Sequence, residues 1–568
     1  MKKFILLSTV CLFAVLLSCT NSLRMDERQV NFDAQYFSYS KYQLTTAIVQ
    51  TAFAYGKGVI DANKGEADMY FILCYQADEL HSFAEAENLW TADDGSNPYT
   101  SVFRTFKALE DLATSENNKA NVAASKILKC VNMAFLTEKY GDVPFTDAAQ
   151  GRTGVLFPKF DSQKAVYEGM FALLDDAIKI LSDATSTGLP SDQDVLFHGD
   201  KTKWLKFANS LKFRLMMHSY NAFKAAGTDL SSKMQEIVSG GNFMSAVTDN
   251  AVLPFDASSP GYCWFTNTNY NLNTYTEFKP TKSLVDKLVA FDDPRLYVIF
   301  APALTPLSAS PTSTTENVTI NGFSYKITHD PVTNYTVSTV PGYDDNGNPI
   351  DVAYTLDAKW FGAPKSSNIN LIYNGVGLPG TNGSYDNRRL SGLSTLFTKL
   401  TDPRLVSTLM ESSEMQFLLA EARQKGIITA GTVQSYYESG VKLSFSRWQI
   451  TDGAKPADYF NSSSIVTDFS NYLAQPGVAL DGSSADLDKI YLQKWFANLL
   501  TNQSEEFTEI RRTGKPSFAF AIPAKMGGSY PNRHIYPFDE ANNNKANYTS
   551  AASAIGGDVV GTKLWIFK

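Results

Sequence analysis

"KAVYEGMFALLDDAIKIL", residues 164–181, decides how the rest of the chain is read. Val166, Met170, Leu173, Leu174, Ala177, Ile178 and Leu181 recur at spacings of three and four, which places them on one face of an α-helix. Outward from it, "AASKILKCVNMAFLTEKYGDVPF" (123–145) does the same through Ile127, Val131, Ala134 and Phe135. It stops at Gly141 with Pro144 beyond, as helices do. "DKTKWLKFANSLKFRLMMHSY" (200–220) opens on an Asp cap at Asp200 and aligns Trp204, Phe207, Leu211 and Leu215. Amphipathic helices of about 20 residues recurring roughly every 40 predict helix pairs stacked as in tetratricopeptide repeats. The consensus letters of that repeat are absent, so the ground for this reading is geometric.

Helical texture holds from about 34 to 240 and returns at 404–447, in "MESSEMQFLLAEARQKG" and "TVQSYYESGVKLSF", and at 485–510. Between about 250 and 400 the chain turns to Gly, Asn, Pro, Ser and Tyr. There "ENVTINGFSYKI" alternates around Asn321-Gly322, a two-residue hairpin signal. "DDPRL" at 292 and "TDPRL" at 401 put Pro just inside an expected helix start after an Asp cap. An irregular insert of that size is usually functional. The expected fold class is mainly α: tetratricopeptide-like helix pairs forming a scaffold with a large loop-rich, partly β insert. Residues 34–568 read as one domain, with its scaffold at about 34–240 and 404–568 and a binding excursion at about 250–400.

The amino terminus has a separate logic. Met1-Lys2-Lys3 precedes an apolar run from Phe4 to Leu17, an export signal of about 14 residues against the ~20 a spanning helix needs. It ends "LLSC", Leu16 to Cys19, which looks like a bacterial lipobox. In that motif the signal (1–18) is removed, Cys19 is acylated and becomes the first residue, and 19–33 serves as a polar tether. Two or more acyl chains anchor stably at ~0.8 kcal/mol per buried methylene.

Composition excludes several classes. A formal charge of −8, falling to −10 once Lys2 and Lys3 leave, argues against nucleic acid. Of five cysteines, Cys11 leaves with the signal and Cys19 carries lipid. Cys74, Cys130 and Cys263 remain, an odd number that implies no disulfide framework. Cys74 and Cys130 read as buried small hydrophobes. The five histidines show no ligand spacing, His218 reads as a core or surface residue, and no zinc site is implied. GxGxxG, GxxxxGK[ST] and GxSxG are absent. No cofactor is expected and no metal ligands are assigned, with a structural calcium left open. The oxygen-rich "PGYDDNGNPID" (341–351) lacks the closing Glu of a calcium loop.

Several blocks then come in the order expected of SusD/RagB-like proteins: "KYGDVPFTDAAQG" (139–151), "DVLFHGDKTKWLKFANSLKFRL" (194–215), "MQFLLAEARQKG" (415–426) and "FTEIRRTGKP" (507–516). The tail from Asn532, "NRHIYPFDEANNNKANYTSAASAIGGD", resembles the SusD-like subgroup. The resemblance spans essentially the mature chain. It implies an α-helical scaffold of tetratricopeptide type with a loop-rich binding face. It also implies a lipoprotein anchored in the outer membrane, facing the cell exterior, that catches oligosaccharide. The captured glycan would pass to a partner SusC-type TonB-dependent transporter.

Sugars present apolar C–H faces and a rim of hydroxyls, so a site needs exposed rings beside amides and carboxylates. Three stretches carry that chemistry. "ENLWTADDGSNPYT" (87–100) offers Trp90, Asp93, Asp94, Asn97 and Tyr99; "SSPGYCWFTNTNYN" (258–271) offers Tyr262, Trp264 and Asn267; "DAKWFGAPKSSN" (357–368) offers Trp360. The resemblance places a binding-loop aromatic in the first region and others in the variable insert. A loop tryptophan can equally plug the underside of its loop, and both roles stay open. Trp204, Trp448, Trp495 and Trp565 read as core, and Glu414, Glu421, Arg511 and Arg512 as scaffold ion pairs or caps.

Three other readings compete, a glycoside hydrolase, a peptide binder and a pure protein-interaction scaffold. A surface glycoside hydrolase would need two carboxylates about 5–10 Å apart across a cleft; the resemblance argues against catalysis, and the chain is read as not an enzyme. Peptide capture for the same kind of importer would favour an apolar groove with backbone-pairing edges.

Overall fold

The computed structural model describes residues 39–57, 73–74, 98–186, 188–254, 279–331, 340–343, 349–352, 355–362, 388–399, 402–516 and 532–568. Cys19, the loop residues Trp90, Asp93, Asp94 and Asn97, and the insert residues Tyr262, Trp264 and Asn267 lie outside the described residues. The chain is mainly helical, with small sheets.

Among the described residues, six α-helices carry the first block: α1 (Ser40–Lys57), α2 (Phe103–Ser115), α3 (Lys119–Tyr140), α4 (Gln163–Ser182), α5 (Lys201–Ala225) and α6 (Ser231–Gly240). From α2 to α5 each packs on the next, the arrangement of stacked helix pairs. In α4 the apolar stripe is inside, with Val166, Met170, Leu174, Ala177 and Leu181 buried. Its amino end is capped by Ser162, whose hydroxyl accepts from the Ala165 N–H, and α5 is capped by Asp200. Helix α3 ends at Gly141, where φ is +89°. Gly169 lets α4 approach its neighbours, because a Cβ there would sit 2.2 Å from Phe145 Cε1.

Strand β1 (Ala251–Pro254) leads out of this block. Within the excursion come α7 (Lys282–Ala290), α8 (Arg295–Ile299) and a hairpin of β2 (Thr314–Ile320) with β3 (Phe323–Pro331). The hairpin turns on Asn321 and Gly322 at φ +52° and +77°, a primed turn that matches strand twist. Strand β4 (Val406–Met410) then returns antiparallel to β1, with Val406 opposite Pro254 and Thr408 opposite Val252. One short ladder thus closes the base of the excursion.

The second block includes α9 (Ser412–Gln424), α10 (Val433–Arg447), α11 (Asp486–Ala497), α12 (Gln503–Thr513), α13 (Phe538–Asn543) and α14 (Lys545–Ile555). One sequence expectation needs correcting. "DDPRL" does open a helix, α8, with Asp293 accepting the Arg295 N–H and gripping its guanidinium. At "TDPRL", Asp402 holds Arg404 in the same way, yet no helix follows. The backbone of 406–410 is claimed by β1, and four of its five residues are buried. The texture at 485–510 also divides, because Asn502 caps a new helix by accepting the Glu505 N–H.

Two apolar cores result. The first gathers residues of both blocks, including Trp204, Leu418 and Ile555; the second includes Leu284, Ile327, Trp448 and Trp495. Helix α9 serves both, sending Met415, Leu418 and Leu419 into the first, Phe417 and Ala420 into the second. Trp565 is part-buried against the first core. Cys130 is buried, and burial pushes its thiol up to about 12, so it is an inert hydrophobe.

Candidate functional site

Trp360 sits in a segment fixed at several points. Asp357 N–H donates to Leu307 O (2.6 Å), Ala303 N–H to Lys359 O (2.9 Å), and Ser391 N–H to Phe361 O (2.8 Å). The next residue but one is Gly362, where a Cβ would lie 2.6 Å from the Lys282 backbone. Held this way, the Trp360 ring is part-exposed and braced. Tyr297 of α8 stands edge-on to it, centroids 5.7 Å apart at 85°, and Phe460 packs at 6.1 Å and 44°. Tyr459 closes on Tyr297 at 4.3 Å. The four rings come from three separated segments.

Charges edge this cluster. Lys359 Nζ lies 4.1 Å from the Phe460 centroid and 3.6 Å from Glu316. Lys455 Nζ lies 5.0 Å from the Tyr459 centroid and pairs with Asp292, which also accepts the Tyr297 hydroxyl at 3.2 Å. His329 stands between Glu316 (3.1 Å) and Asp357 (3.6 Å). The Asp357 carboxyl is held low by the Ser308 hydroxyl, the Ala309 N–H and His329, outweighing slight desolvation. Burial raises the Tyr297 phenol to about 12, so it stays a neutral donor. The arrangement offers a ring to an apolar sugar face and carboxylate acceptors to hydroxyls around it.

Tyr99 lies elsewhere. It is part-buried against the first core, tilted on Phe103 at 5.3 Å, and its hydroxyl donates to Pro144 O at 3.0 Å. Trp360 belongs to the second core, so the structure does not bring these two together. The other sequence-predicted site residues lie outside the described residues. Tyr297, Tyr459, Phe460, Lys359, Glu316 and Asp292 were not singled out. The signal for Tyr459 and Phe460 was present in "ADYFNSSS" (457–464), a loop with rings between Asp and Asn.

A second polar cluster is buried. Arg214 of α5 grips Glu414 of α9, and Arg512 of α12 grips Glu421 with two bonds of 2.7 Å and Glu509 at 2.6 Å. His218 donates to Glu138 (2.8 Å) and Glu505 (3.1 Å), and Lys494 reaches Glu505 and Glu509 at 2.8 and 3.0 Å. Burial disfavours a charge on His218, but Glu505 and Glu138 outweigh it and raise the imidazole to about 10. Against the same burial, His218, Lys494 and Arg214 hold Glu505 well below the usual carboxylate range. His218, Glu505 and Glu509 are spaced closely enough to ligate a metal. Their charge is already met by Lys494, Arg512 and the imidazolium, so the chemistry is that of a scaffold ion network.

No helix among the described residues is long and apolar enough to cross a membrane. Two family models match the chain: one described as "Starch-binding associating with outer membrane" over residues 35–342, and one described as "SusD and RagB outer membrane lipoprotein" over residues 355–567. Among solved structures, a chitin-binding protein is 20% identical at a TM-score of 0.68, covering 93% of this chain and 99% of that one. SusD homologues from Bacteroides uniformis (19%, TM-score 0.67) and Bacteroides fragilis (22%, TM-score 0.66) align over the same shares. At these identities the likeness is one of fold. No curated protein matches the chain.

Proposed function

We propose a function that starts from one fact, that this chain belongs to the SusD/RagB family of outer membrane lipoproteins: it captures oligosaccharide or polysaccharide at the cell surface. It carries its lipid on Cys19, faces outward, and hands its ligand to a SusC-type TonB-dependent transporter without cleaving it. The observation that carries the ligand class is the braced, part-exposed Trp360 ring with carboxylates at its edge. The starch-binding description of the matched family agrees in kind. One stacked ring contributes roughly 1–3 kcal/mol, and each hydrogen bond about 0.5–1.5 kcal/mol. Together these give a micromolar-to-millimolar catcher, loose enough to release its cargo.

The test is calorimetric titration of the full chain, in a detergent without a sugar headgroup, against plant, fungal and host glycans and against peptides. New reducing ends are assayed in the same mixtures. Glycan binding without cleavage supports the proposal. Binding of peptides only would transfer the role to peptide capture, and new reducing ends would make the chain an enzyme.

A further inference from the structure

We propose that the Trp360 face takes an uncharged glycan, and that Lys359 and Lys455 act on the rings and carboxylates beside them instead of on an anionic sugar. The proposal rests on the capture function above and narrows its ligand class. A site for uronic or sulfated sugars needs positive charge in excess of its own carboxylates, most often a guanidinium fork or an unpaired ammonium.

Near Trp360, Lys359, Lys455, His329 and Arg389 each face a carboxylate. The Lys359 ammonium lies over Phe460 and beside Glu316; the Lys455 ammonium lies over Tyr459 and pairs with Asp292. The His329 ring is occupied on both nitrogens, by Glu316 and Asp357. Arg389, which anchors the same region from below, is buried and bound to Thr305 O and Asp330.

Four carboxylates stand beside the two ammonium groups, Lys359 and Lys455. Asp292, Glu316 and Asp357 are each between a third and a half exposed, and Asp458 adds a fourth beside Phe460 through the Phe460 N–H (2.8 Å). Each carboxylate has more lone pairs than its present partners use. Hydroxyls of a neutral sugar would find acceptors there, while a carboxylate or sulfate would face like charge in a chain whose formal charge is already −8. The two lysines then have a positioning role: each fixes one outer ring of the cluster by lying over its face.

The test uses the full chain in the same detergent, with cellohexaose, maltoheptaose, xylohexaose and chitohexaose as neutral probes and polygalacturonate and chondroitin sulfate as anionic ones. The expected result is binding of at least one neutral probe that Trp360→Ala removes and that changes by less than about twofold between low salt and about 0.5 M salt. The anionic probes should bind at least about tenfold more weakly. A double variant, Asp292→Asn with Glu316→Gln, unpairs both lysines and should gain at least about tenfold in polygalacturonate affinity, in a salt-sensitive way. Circular dichroism checks that each variant is folded. Anionic binding by the wild type as tight as neutral binding, and lost in Trp360→Ala, would overturn the inference and leave glycan capture standing. A folded double variant without the gain also overturns it. Glycan binding that survives in a folded Trp360→Ala chain overturns the inference alone, whereas no binding of any probe by the wild type removes the capture reading with it.

Discussion

Arg214 and Glu414 lie 200 positions apart in the chain and meet in the interior, with Nε and Nη2 each 2.5 Å from a carboxylate oxygen. The pair joins α5 of the first helical block to α9 of the second, and Arg214 also donates to Leu409 O in the returning strand β4. Removing one partner leaves the other charged and buried. Glu414→Ala should therefore cost about 3–5 kcal/mol in urea unfolding. The double variant Arg214→Met with Glu414→Leu should cost clearly less than the two single losses added. Simple additivity would mean that the pair does not act as a clasp.

His218 gives the scaffold a pH dependence. Its folded pKa, about 10, is raised above the unfolded value near 6.5. Its contribution is therefore fully present below about pH 6.5 and is lost as the pH rises through about 10. Within that window stability should fall by about 1.4 kcal/mol per pH unit, a slope that His218→Gln removes. Unfolding midpoints across that range read it directly, and a wild-type curve as flat as the variant's would contradict the imidazolium assignment.

Asp194 organises the "DVLFHGD" block. Its carboxylate accepts from the N–H groups of Leu196, Phe197 and Gly199 and from Trp204 Nε1 at 2.8 Å, all with the side chain buried. Asp194→Ala strands four donors and should cost about 3 kcal/mol or more, with Asp194→Asn intermediate because one acceptor oxygen remains. Equal thermal shifts for the two variants would assign the cost to packing.

The helical scaffold was legible because its apolar residues repeat at helical spacing, as in Val166 to Leu181, and because caps such as Asp200 and Gly141 are local chemistry. The Asn321-Gly322 hairpin was legible for the same reason. What failed was non-local. Nothing near "TDPRL" says that 406–410 will pair with a strand some 150 residues earlier. Glu138 and Lys139 look like the solvated side of α3, yet both are buried, because α3 is packed on nearly every side. Trp360 could be picked out as a loop ring. Its neighbour Tyr297 could not, and although Phe460 stands in a ring-bearing loop, only tertiary packing brings either of them to Trp360.

The proposed anchor rests on the amino-terminal reading. Cys19→Ser should remove the chain from the outer membrane fraction, since no acyl chain would remain to hold it there. Unchanged fractionation would show that another contact holds it at the membrane.

The central claim is that the ring at Trp360 is the surface a glycan stacks on. Its most direct measurement is calorimetric titration of the wild type, Trp360→Ala and Tyr297→Ala with the tightest-binding glycan. The account predicts that Trp360→Ala loses at least about tenfold in affinity, that Tyr297→Ala loses less because Trp360 keeps its ring but not its brace, and that both remain folded. Undiminished binding by a folded Trp360→Ala chain would contradict the account and place the ligand elsewhere on the molecule.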